Sequence, residues 1–228
     1  MARASNRDKI LTEGLRVVHE HGFAGASVRD IVQAAGVPQG SFTNHFASKE
    51  AFGLEILDLY FAEGCATMSE TLLNQSLAPL ARLRAYLDVS KRALCRCDMR
   101  NGCLLGNFSA ETTDHSESLR RRLTEIFAEL RDCVASCLQA AVAAGEVPAD
   151  LDCAAVAGFV VSSLQGAMLV AKAERSLAPV ERFEQVLFAL VLRADDHKPS
   201  ATIPEEGADD DRENREDSGT RPPDHDRR

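Results

Sequence analysis

Two groups of side chains in this chain could do chemistry. The first is contiguous: Gln39, Gly40, Ser41, Thr43, Asn44 and His45 fall within the single stretch from Pro38 to His45. Glutamine and asparagine can pair bidentately with an adenine edge, and a threonine methyl can meet the methyl of thymine. Gln39, Thr43 and Asn44 are therefore the expected readers of double-stranded DNA. Hydroxyls and cations suit phosphate oxygens instead. Ser27, His45 and Lys49 are expected to hold the DNA backbone, with Arg29 and Arg7 behind them. The second group is scattered: seven cysteines, each a possible nucleophile once ionised. Cys133 and Cys137 stand four apart, as half of a zinc site would, but no second ligand pair accompanies them. Cys95 and Cys97 point to different sides of a helix, and Cys65 and Cys153 read as core. No metal or cofactor is expected.

The reading residues need a frame, and the flanking sequence supplies one. Ser27-Val28-Arg29-Asp30 fits a capping box that starts a helix. Ile31, Val32, Ala34 and Ala35 give that helix an apolar face, and Gly36 permits the left-handed turn that ends it. Pro38 suits the first turn of a second helix, about Pro38 to His45, whose Phe42 and Phe46 stand four apart and can anchor it below. This is a helix-turn-helix, in which the second helix enters the major groove. An earlier helix, about Ser5 to His21, carries Ile10, Leu11, Leu15, Val17 and Val18, and Phe23 after it is expected to pack under the helix-turn-helix.

The remaining sequence reads as helix throughout, so the fold class is all-α. Helices are expected from Ser48 to about Asn74, Pro79 to about Cys97, Ser116 to Ala144, Leu151 to about Arg175 and Pro179 to about Arg193. Gly102 to Phe108 is expected as a buried short helix or loop. The organisation expected is a DNA-binding domain over residues 1–50, a sensing and dimerisation domain over 51–194, and a disordered acidic tail over 195–228. That tail explains much of the formal charge of -9, since it holds twelve acidic and six basic residues. Residues 1–50 hold six basic and five acidic residues, so DNA affinity must rest on a few placed cations and helix N-termini. No apolar run of about 18 residues is evident and no signal peptide opens the chain, so a cytosolic protein without a membrane span is expected, with its cysteines as thiols.

The helix-turn-helix is specific enough to compare. Gly36-Val37-Pro38, Gly40-Ser41-Phe42 and Phe46-Ala47-Ser48-Lys49-Glu50 stand in one register, and the segment resembles the DNA-binding domain of the TetR family of bacterial repressors. The chain departs from relatives at Gln39, where lysine is common, and at Thr43 and His45, where aromatics are. A second stretch, Gly102-Cys103-Leu104-Leu105-Gly106-Asn107-Phe108, together with Ser76 to Leu83 and Ala171-Lys172-Ala173, is similar to a subgroup of that family. The subgroup contains the N-ethylmaleimide repressor and the acrylate-utilisation regulator. The resemblance implies a homodimer joined through its last two helices. It also implies a sensor cysteine at Cys103 with Lys172 as its partner.

Three functions follow as expectations. The first is a homodimeric repressor released from operator DNA when Cys103 is modified by an electrophile or oxidant. The second keeps the repressor but has it bind a small inducer reversibly, such as an unsaturated acid, in a pocket of Phe108, Phe159, Gln165, Met168 and Lys172. The third is an all-helical thiol- or metal-dependent enzyme, for which no nucleophile–base pair or ligand set stands out.

Overall fold

The computed structural model describes residues 5–192, so the acidic tail expected over 195–228 lies outside the described residues. The described residues form helices and turns, with no strand among them. Each helix start obeys a local rule. Ser5 caps α1 (Asn6–His21) and Ser27 caps α2 (Val28–Ala34), both through complete capping boxes with Asp8 and Asp30. Gly36 follows α2 at φ +62°, a value that L side chains rarely adopt, and turns the chain into α3 (Gly40–His45).

α3 starts two residues later than its sequence suggests. Ser41 and Phe42 donate to the carbonyls of Pro38 and Gln39, three residues back, so Pro38 and Gln39 build a tight lead-in turn. Ser48 then caps α4 (Lys49–Glu70), which at 22 residues is about 33 Å long. The helix stops short of Asn74 because the backbone leaves helical space at Thr71 (φ -118°, ψ -83°).

Pro79 opens α5 (Pro79–Cys95), which ends before Cys97. Asp98 and Met99 take positive φ there and reverse the chain. The short apolar segment that follows is a helix, α6 (Leu104–Thr112), with Cys103 at its N-cap. Ser116 caps α7 (Glu117–Ala143) and Asp152 caps α8 (Cys153–Glu174). The last helix, α9 (Ala178–Val186), widens into a π-helical turn over Leu187–Val191.

α7 is the central post, packed against α4, α5, α6 and α8, while α1 gathers α2, α3 and α4. Phe52, Ile56 and Leu57 of α4 are fully buried, as are Leu83 and Leu87 of α5 and Ile126 and Leu138 of α7. Each such side chain contributes about 1.5–3 kcal/mol by leaving water. Two expectations need correction. Phe23 packs toward α6, its ring 4.9 Å from that of Phe108. And α8, expected as a very apolar helix rich in small residues, is by length and a mean hydropathy of 1.8 apolar enough to cross a membrane, where no apolar run of about 18 residues was expected. It packs against α7 and α9 and leaves Phe159, Leu169 and Val170 exposed.

Candidate nucleic-acid interface and thiol cavity

α3 is apolar below and polar above. Phe42, Phe46 and Phe52 stack beneath it with ring centroids 5.1–5.2 Å apart. Gln39, Gly40, Thr43, Asn44 and His45 stand exposed. The Thr43 hydroxyl donates back to the Gly40 carbonyl at 3.1 Å, so this residue brings a methyl rather than a free donor. Ser41 departs from expectation: it is 9% exposed and belongs to the underside of the helix.

The expected phosphate holders divide. Arg29 is exposed. Ser27 is committed to its helix, its hydroxyl accepting the Asp30 N–H at 3.1 Å and donating to the Asp30 carboxylate at 2.5 Å. That bond, with the Ser27 backbone N–H, holds the Asp30 carboxyl below its ordinary range. Arg7 pairs with Glu55 and lies 5.7 Å from the Phe46 ring. Lys49 turns inward: its ammonium sits 4.8 Å from the Phe23 ring and donates to the Ala24 carbonyl at 3.4 Å. Burial pulls its pKa down, against the opposing charge of Glu111.

Cys103 lies where α6 begins, between two connected hollows. One, about 250 Å³, is lined by Tyr60 and Tyr86 among apolar residues. The other, about 390 Å³, is lined by Asn107 and Lys172. Gly102, Cys103, Gln165 and Met168 line both. The Tyr60 hydroxyl donates to Cys103 Sγ at 3.9 Å. A charge on Cys103, and then burial, hold the Tyr60 phenol protonated well above its usual range, while burial first and Cys103 second do the same for Tyr86.

Gly102 makes the approach of Lys172 possible. Its φ is +67°, and a Cβ there would meet Lys172 Cδ at 3.2 Å. The Lys172 ammonium donates to Asn107 Oδ1 at 3.3 Å, and Asn107 Nδ2 donates to the Asn101 carbonyl at 2.9 Å. Of the residues expected to line a pocket, Gln165, Met168 and Lys172 do so. Phe108 is fully buried on the side of α6 that faces Phe23, and Phe159 is 41% exposed on the outer face of α8 beside Phe183. A bulky aromatic on a helix goes to whichever neighbour covers it, and here that neighbour is not the cavity.

α6 and the residue before its N-cap also touch the reading end of the molecule at three points. His19 Nε2, on α1, donates to the Gly102 carbonyl at 3.1 Å. Phe23 meets Phe108 midway. At the far end, Glu111 Oε2 accepts the Ala24 N–H at 2.8 Å. Burial lowers the His19 pKa, the bond to Gly102 opposes that, and the charge of Lys172 lowers it further. Sequence reasoning missed His19, Tyr60 and Glu111. Tyr60 alone carried a signal, a hydroxyl on an apolar helix that needs a partner once buried.

The remaining thiols stand apart. Cys137 is buried and donates to the Pro79 carbonyl at 3.3 Å, its pKa pushed up to about 11 by burial. Cys65, expected in the core, is exposed. Among the described residues no group of three or more potential ligands could hold a metal.

Comparison with known proteins places both regions. Residues 10–56 match the family described as bacterial regulatory proteins, tetR family, and residues 79–187 match the tetracyclin repressor-like C-terminal domain. The chain is 38% identical over 192 residues to the HTH-type transcriptional repressor DhaR of Mycobacterium sp. (strain GP1), covering 84% of this chain and 95% of that one. It is similar to the crystal structure of regulatory protein TetR from Rhodobacter sphaeroides, with a TM-score of 0.78 and 31% identity over 82% of this chain and 98% of that one. It is also similar to the crystal structure of the reduced form of Escherichia coli NemR, with a TM-score of 0.68 and 26% identity over 78% of this chain and 92% of that one.

Proposed function

The chain belongs to the TetR family of DNA-binding transcriptional repressors, and from that premise we propose that modification of Cys103 by electrophiles or oxidants releases it from its operator. α6 carries this reading: Cys103 is its N-cap, and its last turn bears Glu111, which holds the loop between α1 and α2. A displacement of Cys103 would move the nine-residue helix and with it Glu111. Gln39, Thr43 and Asn44 read base edges, while Arg29, His45 and, once it leaves Phe23, Lys49 meet phosphates.

Two reactions fit the thiol. Its sulfur adds to the terminal carbon of an activated alkene, the carbon–carbon π bond breaks, and the thiol proton ends on the neighbouring carbon. Alternatively, hydrogen peroxide converts the thiol to a sulfenic acid with loss of water. The deprotonated Lys172 amine then attacks that sulfur, forming a sulfur–nitrogen bond and releasing a second water. Either product enlarges the group at the N-cap of α6 and shifts the three contacts with α1 and its loop.

The active species is a homodimer. Leu169 and Leu190 are 65% and 66% exposed on α8 and on the π-helical turn after α9, an apolar face that a second copy would cover. That pairing sets the spacing of two α3 helices on DNA. DNA fragments selected on the native protein supply the probe. Gel retardation should be lost on treatment with N-ethylmaleimide, and Cys103→Ser should bind the same fragments and ignore the reagent. A full response in Cys103→Ser would refute the reading.

A further inference from the structure

The reading end of the molecule holds few free cations for a surface that must grip phosphates. Of the six basic residues within 1–50, Arg7 is paired with Glu55, Arg16 is shared between Glu13 and Glu20, and Lys49 is turned onto Phe23. Arg29 is exposed, Lys9 is half-buried, and Arg3 lies outside the described residues. Contacts to phosphate supply a large share of the affinity for double-stranded DNA, and cations make the strongest of them.

α7, within the C-terminal domain, brings a further cation to this end. Glu50, in the first turn of α4, accepts the hydroxyls of Ser116 and Ser118 at the start of α7. Further along both helices, Asp58 of α4 accepts from Arg122 of α7 at 2.7 Å. The partners ascend together, so the two helices run in the same direction and begin side by side. Just before α7, Glu111 holds the N–H of Ala24, three residues ahead of the α2 cap at Ser27. The turn from α6 into α7 is thereby tied to both helix N-termini that flank α3.

Three arginines follow that turn, and two of them are engaged. Glu117 holds Arg120 through two bonds of 2.7 Å, and Arg122 serves Asp58, Glu125 and Glu129. Arg121 is exposed and makes no hydrogen bond or ion pair with any described residue. It stands only about 6 Å along the axis from the first residue of α7. Helical side chains lean back toward the N-terminus, which carries its guanidinium toward the end of α7 that adjoins α4.

We infer that Arg121 is a DNA-backbone contact outside the helix-turn-helix, its guanidinium taking a phosphate beside the one met by Lys49 at the start of α4. A guanidinium matches phosphate oxygens in charge and geometry, and α3 alone reaches the bases. This inference rests on DNA binding through α3 and α4 and does not depend on what Cys103 does. It makes the C-terminal domain a direct party to the DNA-bound state, so a tilt between α4 and α7 would separate two phosphate holders.

The test measures dissociation constants by fluorescence anisotropy on the full chain between about 0.05 and 0.2 M salt. Two probes are used, a duplex selected on the native protein and a random-sequence duplex of equal length. The variants are Arg121→Gln, Arg121→Lys and Arg131→Gln, since Arg131 is an exposed arginine on the same helix about 15 Å further along. In Arg121→Gln the slope of log affinity against log salt should flatten by about 0.9 for each subunit bound, on both duplexes. Arg121→Lys should keep the native slope, as should Arg131→Gln. Base preference in a binding-site selection should be the same in all four proteins, because phosphates carry no sequence information. Equal slopes for the native chain and Arg121→Gln would overturn the inference. So would an equal flattening in Arg131→Gln, which would reduce Arg121 to its share of overall charge, or a changed sedimentation coefficient in Arg121→Gln, which would place it in a subunit contact. If the native chain binds neither duplex, DNA reading itself fails. If it binds both and only the slope prediction fails, the Arg121 contact alone falls.

Discussion

The reading helix and the thiol cavity are built on opposite plans. α3 and its N-cap Gln39 turn a short local set of side chains outward, while three phenylalanine rings hold the helix from beneath. The cavity gathers residues from α4, α5, α6, α7 and α8 around Cys103. In water a hydroxyl or amide is satisfied by solvent, so a reading surface can leave its groups unpaired until DNA arrives. Inside a helical body a polar group needs a partner from the protein, as Lys172 finds in Asn107 and Tyr60 in Cys103. The DNA-reading surface is thus written along the chain, and the surroundings of the thiol across it.

The contrast can be broken at several points. The largest effect is expected from Phe52→Ala, which removes the ring under α3. It should destabilise the fold by about 3–5 kcal/mol, as chemical denaturation would measure. Operator binding should fall with it, while the cavity residues stay unchanged in sequence. Next, Asn44→Ala should cost about 1–3 kcal/mol in operator affinity, confined to one base position in a binding-site selection, and leave the unfolding transition where it was. A uniform loss across all sequences would move Asn44 to the phosphate holders.

The connection between the two regions gives smaller effects. Glu111→Gln weakens the acceptor that holds the Ala24 N–H and removes the charge that opposes the burial of Lys49. Operator affinity of the untreated protein should change little. The drop in affinity on modifying Cys103 should shrink by about 0.5–2 kcal/mol, measured by titration before and after alkylation. An undiminished drop would remove α6 as the link.

The smallest effect is one of pH. Burial lowers the His19 pKa in the folded chain, so the unfolded chain binds this proton first as pH falls. Below about pH 6.5 the native state should lose stability steadily until its own lowered pKa is reached. His19→Gln offers an amide N–H in place of the imidazole one and should flatten that part of the stability–pH curve. An unchanged slope would mean that another group titrates there.

How much of this was legible in the sequence follows from the same contrast. The caps at Ser27, Ser48 and Ser116 and the turn at Gly36 depend on residues within a few positions of each other, and the sequence carried them. So did the outward residues of α3, apart from Ser41, whose side depends on where the short helix begins. Cys103 and Lys172 came into view only through family resemblance, since 69 positions separate them and no periodicity joins them. His19, Tyr60 and Glu111 were invisible because their roles arise from packing between distant helices. Phe108 and Phe159 were misplaced for that same reason: an aromatic ring does not say which neighbour will cover it.

The central claim is that Cys103 and the DNA-reading surface are energetically coupled. The direct measurement is the equilibrium dissociation constant for a selected operator fragment, taken on protein carrying a single verified adduct at Cys103 and on the untreated protein. The account predicts a loss of affinity of about 5- to 150-fold on modification, absent in Cys103→Ser treated identically. Equal affinities for the modified and unmodified chains would contradict it.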